Sequence, residues 1–369
     1  MDNEEYIREY IQSRQLKKTS YFVVRRALNH YSQYQQKTLH DLLIEADRDE
    51  EQGVRWKRRI LKKRLTSYQN HLHNDLNTIN SIKTYFKIVK AFYHHNEIEI
   101  GKLPPLNLKN IDMQKPVKAT DLPDHDILQK AYELASPVMR ALILFLSSTG
   151  MSKVDALNLT VDDFITATKE YHNKTDITEA LQTLLEMDNV IPVWEARRSK
   201  TNKFFITFNT PEATTEIILY LIGRGGELQK DEALFKINPV YYTQAFQELN
   251  SLLGLGKVGS YNRLRGHALR KFHATNLAKS GLDKYTINIL QGKSNNAVDS
   301  VYFFEDEEHL KKLYLEHMDS LLLLTRIKTI DEYSPEYNKV LEENKRLKDK
   351  LDKVDELEKR VDNLLNVWD

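Results

Sequence analysis

A mainly α-helical protein with one small β-hairpin is what this sequence predicts, and three observations carry that expectation. Gly and Pro number only 12 and 9 in 369 residues, too few for the many turns of an all-β chain. Apolar residues recur at helical spacing through most of the chain. Only the stretch around residues 190–208 is short, β-branched and aromatic-rich on both sides of a polar turn. At about 100–200 residues per domain, the length allows two or three domains.

Residues 1–107 read as a helical domain. Val54–His73 places Trp56, Ile60, Leu61, Leu65 and Tyr68 in one stripe, with Arg and Lys on the remaining surface. Ser81–Tyr93 gives a second clear helix, with Ile82, Tyr85, Phe86, Ile88, Val89 and Phe92 for a core. The Gly101-Lys-Leu-Pro-Pro segment then breaks the pattern, and residues 108–118 read as an interdomain linker. Residues 119–325 form a larger helical domain interrupted by the hairpin, with strands at Val190–Trp194 and Lys203–Phe208. Helices follow at Pro211–Ile222, Val240–Leu253, Gly266–Ser280 and Tyr285–Leu290. In the tail, residues 335–369, Val340, Leu347, Val354 and Val361 fall seven apart with Lys and Glu on the flanks. This is the pattern of a short coiled coil or of a lone solvated helix.

Composition bounds the chemistry. Hydrophobic residues make up 41% and charged residues 29%, as in folded, soluble domains. The absence of Cys excludes disulfides, thiolate zinc sites and cysteine nucleophiles. His94, His95 and His125 show no ligand spacing, so no metal is expected. The longest apolar runs, Ala141–Leu146 and Ile217–Ile222, are too short to span a bilayer. The acidic start MDNEEYIREY is unlike a signal peptide, and a cytoplasmic location is expected. Net charge is only +1, yet ten Lys/Arg and two acidic residues lie between Glu51 and Lys90. Arg55, Lys57, Arg58, Arg59, Lys62, Lys63 and Arg64 are thus candidate phosphate contacts, with a solvated helix face as the alternative.

The most informative region is Gly266–Tyr302. His267 and Arg270 lie three apart on one helix face, Lys293 follows 23 residues after Arg270, and Tyr302 nine after Lys293. Each alone would pass as a surface or core residue. As a set they resemble the tyrosine recombinase (phage integrase) family, which carries a His-x-x-Arg motif, a Gly-His/Trp/Lys position and a nucleophilic Tyr. Phe272, Ala274, Thr275 and Leu277 fit the family's helix. Leu146-Ser-Ser-Thr149-Gly150-Met-Ser-Lys-Val-Asp155 resembles its first motif, and Arg198-Ser-Lys200-Thr-Asn-Lys its lysine-bearing β-turn. The resemblance covers about residues 121–324. The N-terminal domain is similar to a core-binding domain, and the style of the chain is closest to archaeal and archaeal-virus integrases.

The resemblance implies a site-specific recombinase acting on double-stranded DNA through a 3′-phosphotyrosyl ester, without metal, ATP or another cofactor, as a homotetramer on DNA. It implies that Tyr302 attacks, that Arg270 and Lys293 hold the phosphate, that His267 bonds the phosphate or helps manage the nucleophile's proton, and that Lys200 protonates the leaving 5′-oxygen. The physical need is clear: negative charge grows on the nonbridging oxygens, and without a metal the protein must supply the donors. One departure stands out. The family's first Arg falls at Ser152 here, with Lys153 next to it, so Lys153 or Arg140 is the candidate replacement cation. A cleavage-deficient, integrase-like DNA-binding protein is the alternative that this departure supports. A type IB topoisomerase is a third reading. Tyr314 is read as a packing residue, and His273 as structural.

Overall fold

Thr38 and Thr78 start two of the N-terminal helices: each side-chain oxygen accepts the backbone N–H three residues on, from Asp41 and Ser81. The computed structural model describes residues 3–16, 18–76, 78–105, 118–293 and 306–324. The chain divides into two compact units, residues 1–115 and 116–369. The first holds α1 (Asn3–Ser13), α2 (Lys18–Gln35), α3 (Leu39–Glu51), α4 (Ile60–Asp75) and α5 (Ile79–His95). Their apolar stripes meet around the fully buried rings of Tyr31, Tyr68, Phe92 and Tyr93, and the Tyr31 and Tyr93 hydroxyls bond to each other at 3.0 Å.

The helix expected from Val54 begins only at Ile60. Gly53 is left-handed (φ 63°) and Arg59 is extended, so Trp56–Arg58 is a separate 3₁₀ turn. The Ile60 N–H is capped from a distance by Asp49 Oδ2 at 2.6 Å. Trp56 leaves the expected stripe, and its indole donates to the Lys102 carbonyl at 3.0 Å.

The second unit is built around α7 (Pro137–Thr149). Ten of its thirteen residues are buried, as expected for a helix apolar on all sides. It is preceded by α6 (His125–Leu134) and followed by α8 (Lys153–Leu157), α9 (Val161–Ala167) and α10 (Ile177–Leu185). Then come the hairpin strands β1 (Val193–Arg197) and β2 (Phe204–Phe208), antiparallel with Val193 opposite Phe208 and Arg197 opposite Phe204. The first strand starts three residues later than expected. Pro192 has no N–H to give a ladder, and the backbones of Val190 and Ile191 bond to the hydroxyls of Thr214 and Tyr171. The remaining elements are α11 (Pro211–Gly223), α12 (Pro239–Leu252), a two-residue pair β3 (Lys257–Val258) and β4 (Tyr261–Asn262), α13 (Gly266–Lys279), α14 (Lys284–Leu290) and α15 (Glu307–His317). Helices α11 and α13 pack on α7, and β2 packs on α14. This brings the end of α7, the face of α13 and the end of α14 together.

Candidate active site

Helix α7 stops because Thr149 turns its hydroxyl back to the Phe145 carbonyl (2.7 Å) and Gly150 enters the left-handed region at φ 63°. A side chain at Gly150 has no room: a Cβ there would stand 2.6 Å from His273 Nδ1 and 2.8 Å from Gln291 Nε2. The Gly150 carbonyl is left without a helical partner. Arg270 of α13 supplies one, donating from Nη1 at 2.6 Å. Its Nη2 donates to the Gln291 carbonyl at the end of α14, also at 2.6 Å. Gln291 returns its side-chain amide to the Arg270 carbonyl (2.9 Å) and to His273 Nδ1 (3.0 Å).

Both seats of the guanidinium are main-chain oxygens, and no described carboxylate pairs with it. Burial, and then the positive charge of Arg198, lower the Arg270 pKa to about 10, with Asp155 opposing. The group is still fully charged at pH 7. His273 is completely buried, and burial with the neighbouring Arg270 pushes it down to about 3. It is a neutral strut: Gln291 donates to Nδ1, so the ring proton sits on Nε2.

Beside Arg270 lies an open cleft of about 480 Å³, lined by Lys118, Leu122, His267, Arg270, Lys271, Ala274, Thr275 and Lys293. Among the described residues, no acidic side chain lines it. Lys293 follows Gly292, which is left-handed (φ 61°) and seated on the Phe205 ring, where a Cβ would come within 2.7 Å. Its ammonium is lowered by burial and then by Arg270, Arg198 and Lys284. His267 is exposed, but surrounding protein, Lys271, Arg265, Arg270 and Lys293 all lower its pKa. It is therefore neutral at pH 7.

The Thr-Gly loop and the hairpin turn are tied together. Ser152 caps α8 and donates to Asp155 Oδ2 at 2.7 Å. The other oxygen of this buried carboxylate accepts the Ser199 N–H (2.9 Å) and hydroxyl (2.8 Å). Next to Ser199, Arg198 donates from Nη1 to the Gly292 carbonyl at 3.1 Å. Lys200 is exposed at the tip of the turn, and Lys203 Nζ lies 3.5 Å from the Lys293 carbonyl. Arg198 and Lys203 were not singled out from the sequence. Their signal is the spacing of the turn itself, which returns the chain beside Gly292.

Lys153 turns elsewhere. Its ammonium donates to the Pro239 carbonyl (2.6 Å) and the Thr243 hydroxyl (2.9 Å) and sits 4.6 Å from the centre of the Tyr242 ring. It lines a neighbouring groove with Tyr242 and Arg265, which shares His267 with the cleft but does not include Arg270 or Lys293. Tyr314 is fully buried, its hydroxyl on the Ser148 carbonyl at 3.2 Å, so it is a packing residue. Tyr302, the tail at 335–369 and linker residues 108–117 lie outside the described residues.

In the first unit the basic residues divide. Arg59 pairs with Glu50, and Arg64 with Glu45 and Gln35, so these two are held inside the fold. Arg55, Lys57, Arg58, Lys62 and Lys63 make no ion pair among the described residues, and all but the half-buried Lys62 are exposed. One described group could hold a metal: His30, His71 and Asp75, with ligand atoms all within 4.8 Å. A hydrogen bond of 2.8 Å between His30 and Asp75, and one of 3.0 Å from His30 to Tyr68, already account for two of them. No local spacing marks this group, because His30 comes from a different helix than the other two.

The phage integrase family model matches residues 125–309. Among solved structures, the chain is similar to a lambda integrase dimer bound to a COC′ core site, at 15% identity over 83% of this chain and 99% of that one, with a TM-score of 0.49. It is similar to the XerH site-specific recombinase in a post-cleavage complex with palindromic difH substrate, at 15% identity over 84% and 83%, TM-score 0.49. XerA recombinase aligns at 18% identity over 86% and 99%, TM-score 0.36. No curated protein matches the chain. Among the described residues, no helix is long and apolar enough to cross a membrane.

Proposed function

The chain belongs to the phage integrase family, and from that premise we propose that it is a site-specific DNA recombinase that cuts and rejoins strands through Tyr302. The observation that carries this reading is the cleft in which Arg270, Lys293 and His267 meet, with no acidic side chain among the described residues that line it.

The Tyr302 oxygen attacks the phosphorus, and its proton passes to neutral His267. Arg270 and Lys293 hold the nonbridging oxygens while charge builds on them. The P–O5′ bond breaks, Lys200 returns a proton to the leaving oxygen, and the 3′-phosphotyrosyl ester conserves the bond for rejoining. Because carbonyls already fix the Arg270 fork, little reorganisation accompanies the step. No metal or cofactor enters it.

Residues 1–107 act as a core-binding domain, with Arg55, Lys57, Arg58, Lys62 and Lys63 on DNA phosphates; residues 119–325 are the catalytic domain. Exchange between two duplexes calls for a homotetramer on DNA, to which a coiled-coil tail at 335–369 adds a contact. A cytoplasmic site of action goes with this reading. The archaeal or archaeal-virus type is proposed on the style of the sequence alone.

A second reading, a DNA-binding protein that has lost cleavage, is favoured by Ser152 at the arginine position and by the engaged ammonium of Lys153. A nicked suicide substrate separates the two. The recombinase leaves a covalent protein–DNA band on a denaturing gel, lost in Tyr302→Phe and kept in Tyr314→Phe. Tight binding with no such band across candidate sites would select the second reading.

A further inference from the structure

We propose that Arg198 supplies the second guanidinium of the phosphate site, taking over from the arginine position that Ser152 occupies. This deepens the recombinase reading and rests on it.

Arg198 closes the hairpin turn: its N–H donates to the Lys203 carbonyl (2.8 Å), and its carbonyl accepts from Thr201 (3.2 Å) and Asn202 (2.7 Å). Its Nη1 donates to the Gly292 carbonyl at 3.1 Å, while Arg270 Nη2 sits on the preceding carbonyl, that of Gln291, at 2.6 Å. Two guanidiniums thus hang from consecutive oxygens of the turn that leads into Lys293.

Ser152 binds Asp155, and Asp155 binds both the N–H and the hydroxyl of Ser199. The loop that lost its cation therefore grips the hairpin at the residue next to Arg198.

The two cations that the sequence offers as replacements are engaged elsewhere. Lys153 is committed to Pro239, Thr243 and the Tyr242 ring. Arg140 bonds the Glu133 carbonyl at 3.2 Å and lies over the Tyr132 ring, nine residues and about 13 Å of helix from Thr149. Arg198 has no carboxylate partner among the described residues, and one hydrogen bond occupies only one of its five donors. Its charge also reaches the site, since it is among the causes that lower both Arg270 and Lys293. The mutual repulsion of three such cations in an empty site is relieved when the phosphate enters, and most of all in the transition state.

Arg198→Gln is the test, because Gln keeps a polar amide at this position and removes the guanidinium with its charge. Adduct formation on the suicide substrate should slow by about 10²–10³-fold, with gel-shift affinity for the same DNA within about threefold. Arg198→Lys should recover part of the rate. Ser152→Arg in the Arg198→Gln background should restore at least about tenfold, since a guanidinium returns from the other side. Lys153→Ala should cost less than Arg198→Gln. An Arg198→Gln rate within about threefold of wild type, or a larger loss in Lys153→Ala, would overturn the proposal and leave the recombinase reading intact. A wild type that makes no adduct sinks that reading instead. Arg198 is then judged by inorganic sulfate, which should raise the melting temperature of wild type more than that of Arg198→Gln; equal shifts would end the proposal.

Discussion

Arg270→Lys separates the charge of the buried guanidinium from its shape. The native fork meets two interior carbonyls, Gly150 and Gln291, each at 2.6 Å. An ammonium on a single stem can satisfy one of them. The other is left unpaired where only 5% of the residue at that position is exposed, which costs about 1–3 kcal/mol. With a urea slope of about 2 kcal/mol per molar, the midpoint should fall by about 0.5–1.5 M. The assay is urea unfolding followed by tryptophan fluorescence, in which the buried Trp194 reports on the second unit. The same variant should form the covalent adduct about 10²–10³-fold more slowly, because a point donor replaces a planar pair. An unchanged midpoint would refute the claim that the two carbonyls hold the fork, and an unchanged adduct rate would refute its role at the phosphate.

Gly150→Ala should lower stability by more than about 1 kcal/mol, since it strains a left-handed position and drives a methyl into His273 and Gln291; a neutral effect in urea would show that the loop shifts freely. His273 gives a pH dependence. Its native pKa is about 3 against about 6.5 when unfolded, so the unfolded state gains the proton first as pH falls. Its contribution is complete above about pH 6.5, and between pH 7 and 5 about 2 kcal/mol should be lost. His273→Asn, which keeps an acceptor for Gln291, should flatten the stability profile across that window, and an unaltered slope would contradict the assignment. In DNA binding, the double variant Lys57→Ala, Arg58→Ala should lower the slope of log affinity against log salt by about 2. Arg64→Ala should leave that slope unchanged and lower stability, because its partner is Glu45; the reverse pattern would move Arg64 to the DNA face.

Much of the helical framework was legible because burial imposes a period. Pro211–Gly223 and Gly266–Lys279 fall within a residue of their expected bounds, the first opened by a proline suited to a helix start. The start of α4 was not legible, because Asp49, which caps it, belongs to another helix. The hairpin was recognisable by its aromatic strand, but its register turned on Pro192 and on hydroxyls from Thr214 and Tyr171. The motif residues Arg270 and Lys293 stood out by spacing. What holds them did not: Gly150 and Arg270 are 120 positions apart, and no local pattern announces that a helix-ending carbonyl will seat a guanidinium. Lys153 looked like a replacement cation because it is adjacent in sequence to Ser152, whereas side-chain direction sends it toward Tyr242.

The seating of Arg270 has a consequence for how DNA engages. An arginine parked on an aspartate must first give up that partner, so its docking is an exchange, with an ion pair broken for each one made. Here the resting seat consists of the carbonyl-bearing ends of α7 and α14, whose partial negative charge steadies a cation without cancelling it. Among the described residues no carboxylate has to leave this guanidinium, so docking of a phosphate there is a simple addition.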